Sequence, residues 1–329
     1  MTPVRSAALL AAMLALAAAG SAEARNEYTP LFKDRKFAEI ERLAATRLAA
    51  DPRNADALVA KAGVILSLRQ ENRYDEAAQL AEQCIEAHPK HSDCHETLGN
   101  VLGTKAMSGG VMAAISYAGK IRDAYRTAIE LDPANHSARS SLLQYYLMAP
   151  GIVGGGKGKA QDLVAETAKT RPAVAKLLQA RIDLQDEKPA AAEAALLAVQ
   201  AGSDEALQAL HREMLMATGG AWVQAKKLAD AERVYQEVAR RFPDSAQGVY
   251  GLALVQQERG RPAEAIPLLE KALATEQRGQ FYYRLGQCWQ ALNDKAKAIA
   301  AFEKALNFRP APHKKMRADI EEQLKALRG

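Results

Sequence analysis

The sequence predicts an all-α protein, a solenoid of stacked helix–turn–helix pairs closed by a C-terminal capping helix. Three observations lead there. Hydrophobic residues make up 48% of the 329 residues but aromatics only 5%, and alanine dominates the apolar set, which suits close-packed helices better than strands of β-branched and aromatic residues. Apolar residues recur at helical spacing in paired blocks, and one marker alanine returns as Ala231, Ala265 and Ala298, a regular interval of the kind that repeated helix pairs produce. Prolines at Pro52, Pro89, Pro133, Pro172, Pro243 and Pro310 punctuate the blocks, where a helix must stop. No composition break or Pro/Ser-rich linker divides the chain, so one elongated array is expected over two globular domains.

Residues 1–24 read as a secretory signal peptide. Arg5 supplies a positive charge, Ala7 to Ala19 form an apolar stretch, and Ala22-Glu23-Ala24 is a small-x-small cleavage site before Arg25. Cleavage is expected after Ala24, with a periplasmic destination. The apolar stretch is shorter than the ~18 residues that argue for a spanning helix, and no second such run follows. A lipid-accepting cysteine is missing from the place it would occupy, the first cysteine being Cys84. The mature chain is therefore expected to be soluble, with no stable membrane insertion. Removal of the leader takes away Arg5 and Glu23 and leaves the formal net charge at +5. Lys and Arg alternate with Asp and Glu along the helices, which speaks against nucleic acid as a partner.

From residue 25 to residue 311 the chain reads as about seven helix pairs, the N-terminal ones loosened by insertions. Successive prolines from Pro52 through Pro89 and Pro133 to Pro172 lie further apart than the later marker alanines, and the excess falls between the two helices of a pair. Leu98-Gly99 marks a first helix; Tyr74 with Ala77 and Tyr125 with Ala128 mark second helices; Asp132-Pro133 closes a pair. The insert Met107 to Lys120 is apolar for a connection and either extends the flanking helices or forms a contact patch. Gly151 to Lys157 contains the G-x-x-x-x-G-K of a phosphate loop, but Gly158 stands where a Ser or Thr must reach the metal, and Leu142 to Met148 before it reads as helix, not strand. A long turn that hands over to a second helix at Lys159-Ala160 fits better. Pro172 to Pro243 has room for two pairs, the first of them, Ala173 to about Gly202, Ala-rich and weakly patterned.

The clearest pair runs from Gly279 to Pro310. Tyr282, Leu285, Gly286 and Trp289 recur at helical spacing, Asn293-Asp294 interrupts, and Ala298, Phe302, Ala305 and Leu306 resume the pattern. The preceding pair repeats it with Val249, Leu252, Ala253, Gly260, Ala265, Leu269, Ala272 and Leu273. Small residues at Gly286 and Ala298 let two antiparallel helices approach closely. This series resembles the tetratricopeptide repeat (TPR), a ~34-residue helix pair, from roughly Tyr28 to Gly329. The resemblance implies a right-handed superhelix whose first helices line a concave face. The segment Tyr145 to Ala160 also resembles a loop of secreted bacterial TPR proteins of unassigned function. Residues 312–329, with Lys314 to Arg328 amphipathic and charged outward, read as the solvating cap.

Besides the Gly151 to Lys157 loop, one constellation could carry chemistry. Cys84, His88, His91, Cys94 and His95 lie close together in the chain. They admit a zinc or copper(I) site at Cys84, His88, His91 and Cys94, a Cys84–Cys94 disulfide favoured by an oxidising compartment, or free thiols, with His95 packed as Tyr282 is. Cys288 would stay unpaired and buried beside Trp289. No Ser/His/Asp group, paired carboxylates or HExxH motif stands at catalytic spacing, so no enzymatic activity and no cofactor are expected.

The expected function is that of a periplasmic scaffold, adaptor or chaperone-like factor that holds a protein or peptide in the TPR groove. A metal- or small-ligand-binding envelope protein, or a hydrolase, using residues 84–95 and 151–159 is the alternative. On a helical wheel centred on Tyr282, Leu285, Gly286 and Trp289 fall to either side of it and form one packed face, while Tyr283, Gln287 and Gln290 fall together on the adjacent face, roughly a quarter-turn away. The second set forms the expected groove face. The same register adds Tyr250, Leu254 and Gln257, then Ser140, Gln144 and Leu147, then Glu96 and Asn100. The Lys and Asn pairs with which some TPR domains clamp a C-terminal carboxylate are missing from these positions. Contacts to side chains and backbone are expected instead.

Overall fold

The structure, a computed structural model, describes residues 27–329. The leader expected at residues 1–24, and its cleavage after Ala24, lie outside the described residues. Every regular element among the described residues is helical. The chain divides into two compact units, one through Ala138 and one from Arg139.

The first unit begins with α1, residues 27–33, paired with α2 (Phe37–Ala50); α3 (Ala55–Ser67) pairs with α4 (Tyr74–Ala87), and α5 (Ser92–Ser108) with α6 (Gly110–Leu131). Its core alternates between pairs: Tyr28, Phe37, Ile40 and Val64 form one cluster, and Leu58, Ile65, Leu80 and Val101 the next. After α7 (His136–Met148), which crosses the unit boundary, the second unit continues with α8 (Lys157–Thr170), α9 (Pro172–Gln185), α10 (Pro189–Leu197), α11 (Glu205–Gln224) and α12 (Leu228–Arg241). It ends with α13 (Gln247–Glu258), α14 (Pro262–Thr275), α15 (Gly279–Ala291), α16 (Lys295–Asn307) and the capping helix α17 (Lys314–Arg328). The described residues thus hold eight helix pairs and a cap, one more than the sequence count of about seven. The weakly patterned Ala-rich stretch is a full pair, its second helix only nine residues long.

The turn inside a pair follows one design. In six pairs the second residue after the first helix is left-handed and turns its amide back onto that helix: Arg35, Arg69, Glu187, Lys226 and Asn293 have φ between 53° and 60°, and Gly260 has 71°; Gly110 after α5 is left-handed as well (φ 77°) but already opens α6. The left-handed step lets two amides turn back onto the last helical carbonyls, as Lys226 N–H does to Val223 (3.0 Å) and Lys227 N–H to Trp222 (3.0 Å). Five of the six positions carry a side chain where glycine is the unstrained choice, which is why composition does not reveal them. α5/α6, whose left-handed Gly110 already opens the second helix, and α7/α8 depart from this turn, whereas α3/α4 keeps it although the 3-10 turn Glu71–Arg73 lengthens its connection. Met107 to Lys120 is helix on both sides of a Gly109-Gly110 corner, and α8 starts at Lys157, two residues before the expected Lys159.

The close approach expected at Gly286 is real: a Cβ there would come within 2.7 Å of the Phe302 ring on α16. Gly99 meets Tyr125 at 2.5 Å in the same way. A first-helix glycine against a second-helix aromatic therefore fixes the register of the hairpin.

Candidate functional site

All eleven residues expected on the groove face are half-buried, none buried and none fully exposed. The first helices α5, α7, α13 and α15 supply them. The structure adds that this face is also the seam between one first helix and the next. Glu96 accepts from Asn135 Nδ2 (2.8 Å) in the turn before α7, whereas Asn100 Oδ1 accepts from Tyr125 (2.9 Å) on α6, inside its own pair. Arg181 on α9 donates to Gln144 Oε1 (3.0 Å), and Gln185 to the Leu147 carbonyl (3.3 Å). Gln257 donates to the Arg284 carbonyl (3.2 Å), and the Tyr250 ring stacks on Phe281 with centroids 4.5 Å apart. Tyr283 donates to Asp319 (2.8 Å) and Gln290 to Gln323 (2.7 Å), both on the capping helix. Ser140, Leu254 and Gln287 share the half-buried class. Contacts of these side chains with the following helix do not show on the wheel, because the next helix is invisible on a single-helix projection.

Sequence reasoning passed over Arg284. It is the one charged residue of α15, and α13 carries a charge only at its last residue, Glu258. Among the described residues Arg284 makes no ion pair; its Nη1 donates to Gln287 Oε1 at 3.3 Å. Its positive charge bears on Tyr250, Tyr283 and Cys288, each kept neutral at physiological pH. Burial pushes the Tyr283 hydroxyl up to about 12, helped by its hydrogen bond to Asp319, and burial pushes the Cys288 thiol up to about 11. Asp319 connects to Arg284 only through Tyr283 and Gln287, the latter donating to Tyr283 Oη at 2.8 Å. The result is a half-buried guanidinium among neutral aromatic and amide groups, short of a carboxylate. The signal was legible as a lone cation in GQFYYRLGQCWQA.

The Cys/His cluster resolves differently from a metal site. Cys84 and Cys94 form a buried disulfide with Cα atoms 5.5 Å apart, joining α4 to α5 across the turn. Both sulfurs are thereby removed as thiolate ligands. His88 Nε2 faces the Arg53 carbonyl at 2.6 Å and His95 Nε2 the Pro89 carbonyl at 2.9 Å. His91 Nε2 lies 4.0 Å from Asp56. The three imidazoles face separate partners. Cys288 is buried, as expected, in a cluster with Trp289.

The glycine loop is a built turn, and its amides do not form a phosphate cradle. Gly154 N–H donates to Gly151 (3.0 Å), Gly155 N–H to Pro150 (3.1 Å) and Gly156 N–H to Tyr146 (2.7 Å). Donors spent on carbonyls are not available to an anion. Gly154 and Gly156 have φ of 91° and 125°, and a Cβ at Gly155 would lie 1.8 Å from the Ala149 carbonyl oxygen. Lys157, which would reach a phosphate in that motif, instead holds Asp186 at 2.6 Å.

A tetratricopeptide-repeat model matches residues 177–246 and 250–314, a span that runs from within α9 through α16. A comparison with curated proteins finds no match. Among solved structures, a tetratricopeptide repeat protein from Parabacteroides merdae is 15% identical, with 93% of this chain and 98% of that one covered at a TM-score of 0.47. The Cut9–Hcn1 structure of the APC/C is 13% identical, covering 88% of this chain and 52% of that chain, TM-score 0.43. The Pseudomonas aeruginosa pilF structure is 13% identical, covering 82% and 97%, TM-score 0.40.

Proposed function

We propose that this TPR solenoid is a scaffold or adaptor for protein partners, exported to a bacterial periplasm, and that it receives an acidic segment of its partner on the first-helix face of α13 and α15. The carrying observation is Arg284. A half-buried cation with no carboxylate of its own gains most from a ligand that brings one, because charge-assisted hydrogen bonds from guanidinium to carboxylate strengthen as water is excluded. Tyr283, Gln287 and Gln257 beside it offer the aromatic and amide contacts that fix an extended peptide. The periplasmic part of the reading is supported by the leader-like residues 1–24 and by the Cys84–Cys94 disulfide, which persists in an oxidising compartment.

The test is capture from bacterial envelope extract on immobilised protein, wild type against Arg284→Gln. Arg284 is the cleaner probe than a Tyr250 and Tyr283 double change, because Tyr250 stacks on Phe281 and Tyr283 packs near Phe302. Partners captured by the wild type should fall at least about tenfold with Arg284→Gln, the effect of losing one hot-spot arginine. Equal capture by both proteins moves the binding surface away from α15. N-terminal sequencing of the periplasmic fraction tests export independently, with Arg25 as the expected first residue.

A further inference from the structure

The α5/α6 hairpin ends in a feature that the protein-binding reading does not use. Met107 and Met112 are each 78% exposed, Val111 75% and Ile115 53%. From Met107 to Ser116 every residue except half-buried Ala113 is exposed, and none is charged. The glycine–aromatic register shows why they stand out. In α15/α16 the contact is Gly286 with Phe302, and α16 starts at Lys295; in α5/α6 the contact is Gly99 with Tyr125, and α6 starts at Gly110. α6 therefore runs 22 residues against 13 for α16, and its extra turns lead about 12 Å beyond the ordinary corner.

We propose that this tip is a membrane-surface contact, a blunt apolar wedge that enters the interface of an anionic lipid layer shallowly and reversibly. Its composition separates this occupant from the others. Protein hot spots are built on Trp, Tyr and Arg, none of which the exposed residues Met107 to Ser116 supply; Met, Val, Ile and Ala can enter a fluid apolar medium without a shaped pocket. A second copy would bury too little: each tip exposes roughly 500 Å² of apolar side chain, so two together fall short of the ~1,200 Å² at which stable interfaces begin.

Charge points the same way. Along the chain no acidic residue occurs between Glu96 and Asp123 and Lys105, Lys120 and Arg122 stand behind the tip, while Glu71 and Asp75 of the preceding pair line the hollow beside Ser108 and Gly109. Lys105 is held by Asp75 at 2.5 Å and lies over Tyr117; Arg122 sits beside Asp123 at 2.8 Å. Lys120 is exposed and has no ion-pair partner among the described residues. At ~1.5 Å per residue these cations lie ~7 to ~18 Å behind Gly110. With the apolar tip ~5–10 Å into the interface, unpaired Lys120 stands within about a Debye length of the anionic surface and is attracted to it, whereas Lys105 and Arg122 already hold carboxylates. No described helix is long and apolar enough to span a membrane, in keeping with a contact that lies on the surface.

Co-sedimentation of the full chain with sucrose-loaded vesicles tests this, phosphatidylcholine alone against a mixture with phosphatidylglycerol. The apolar residues near the N-terminus are common to all variants, so the difference between variants is the readout. Val111→Asp combined with Met112→Asp should lower partitioning onto the anionic vesicles at least tenfold with an unchanged helical spectrum. Met107→Asp, on the other helix, should act in the same direction, and Lys120→Glu should weaken binding to anionic vesicles while leaving the neutral ones unaffected. Equal partitioning of wild type and the double variant overturns the proposal, as does failure of both to bind. A wild-type dimer that the double variant loses, without vesicle binding, assigns the tip to self-association instead.

Discussion

Two adjacent glycines on α11 should respond to the same substitution with opposite signs. A Cβ at Gly219 would lie 2.4 Å from Tyr235 Cε1, whereas at Gly220 nothing stands within 4 Å. Ordinary carbon contacts are ~3.5–4.0 Å, so Gly219→Ala forces a displacement of about 1 Å. The ring has no room to give it. Tyr235 is 1% exposed, and on its other side a Cβ at Gly251 of α13 would be only 2.2 Å away. Overpacking of this kind costs ~1–3 kcal/mol, against which alanine gains about 1 kcal/mol over glycine in a helix. Gly219→Ala is therefore expected to destabilise by up to ~2 kcal/mol, and Gly220→Ala to stabilise by about 1 kcal/mol. The two variants have identical composition, so their difference cancels unfolded-state effects. Urea unfolding followed by circular dichroism measures it as a shift in midpoint at constant slope. Repeating the pair of substitutions on a Tyr235→Leu background should collapse the difference, because the ring is its cause. Equal stability of the two single variants, or a more stable Gly219→Ala, would refute the close-approach argument for every pair built on it.

Three further outcomes concern a buried carboxylate, the disulfide and a half-buried carboxylate. Glu193, 5% exposed, accepts from Trp222 Nε1 at 2.8 Å and from Arg233 at 2.9 Å, so Glu193→Ala should cost about 2–3 kcal/mol by leaving the indole donor unsatisfied; thermal unfolding checks it, and a loss below about 0.5 kcal/mol would count against the contact. Closing the ten-residue separation between Cys84 and Cys94 should contribute about 2.5 kcal/mol, lost in the Cys84→Ser, Cys94→Ser double variant and seen as a lower melting temperature than that of the unreduced wild type. Hydrogen bonds from Arg240, then Arg241, hold Glu237 down at about 2. A depressed carboxyl stabilises fully above its unfolded value of ~4.3 and loses that contribution as pH falls. Wild type and Glu237→Gln should therefore differ at neutral pH and converge as pH falls to about 2, and a gap that persists there would contradict the assignment.

By itself the sequence determined what local chemistry can write. The Ala-rich composition, the evenly returning marker alanines, the prolines and the cap at Lys314–Arg328 specified helix pairs stacked in series, because each follows from helical period and chain termination. It also indicated that the G-x-x-x-x-G-K segment is a turn, since Gly158 and the preceding helix already broke the motif. Tertiary structure decided the rest. The choice among disulfide, metal and free thiols at Cys84 and Cys94 depended on where α4 and α5 place two Cα atoms, a distance that residue spacing does not encode. The left-handed corners at Arg35, Arg69, Glu187 and Lys226 carry ordinary side chains, so packing of the following helix imposes them against local preference. Arg284 became a candidate only when its neighbours proved to be neutral, and residues expected on the groove face proved to contact the following helices. A wheel orders the side chains of one helix; which of them remain partly open depends on the helix that stacks next to it.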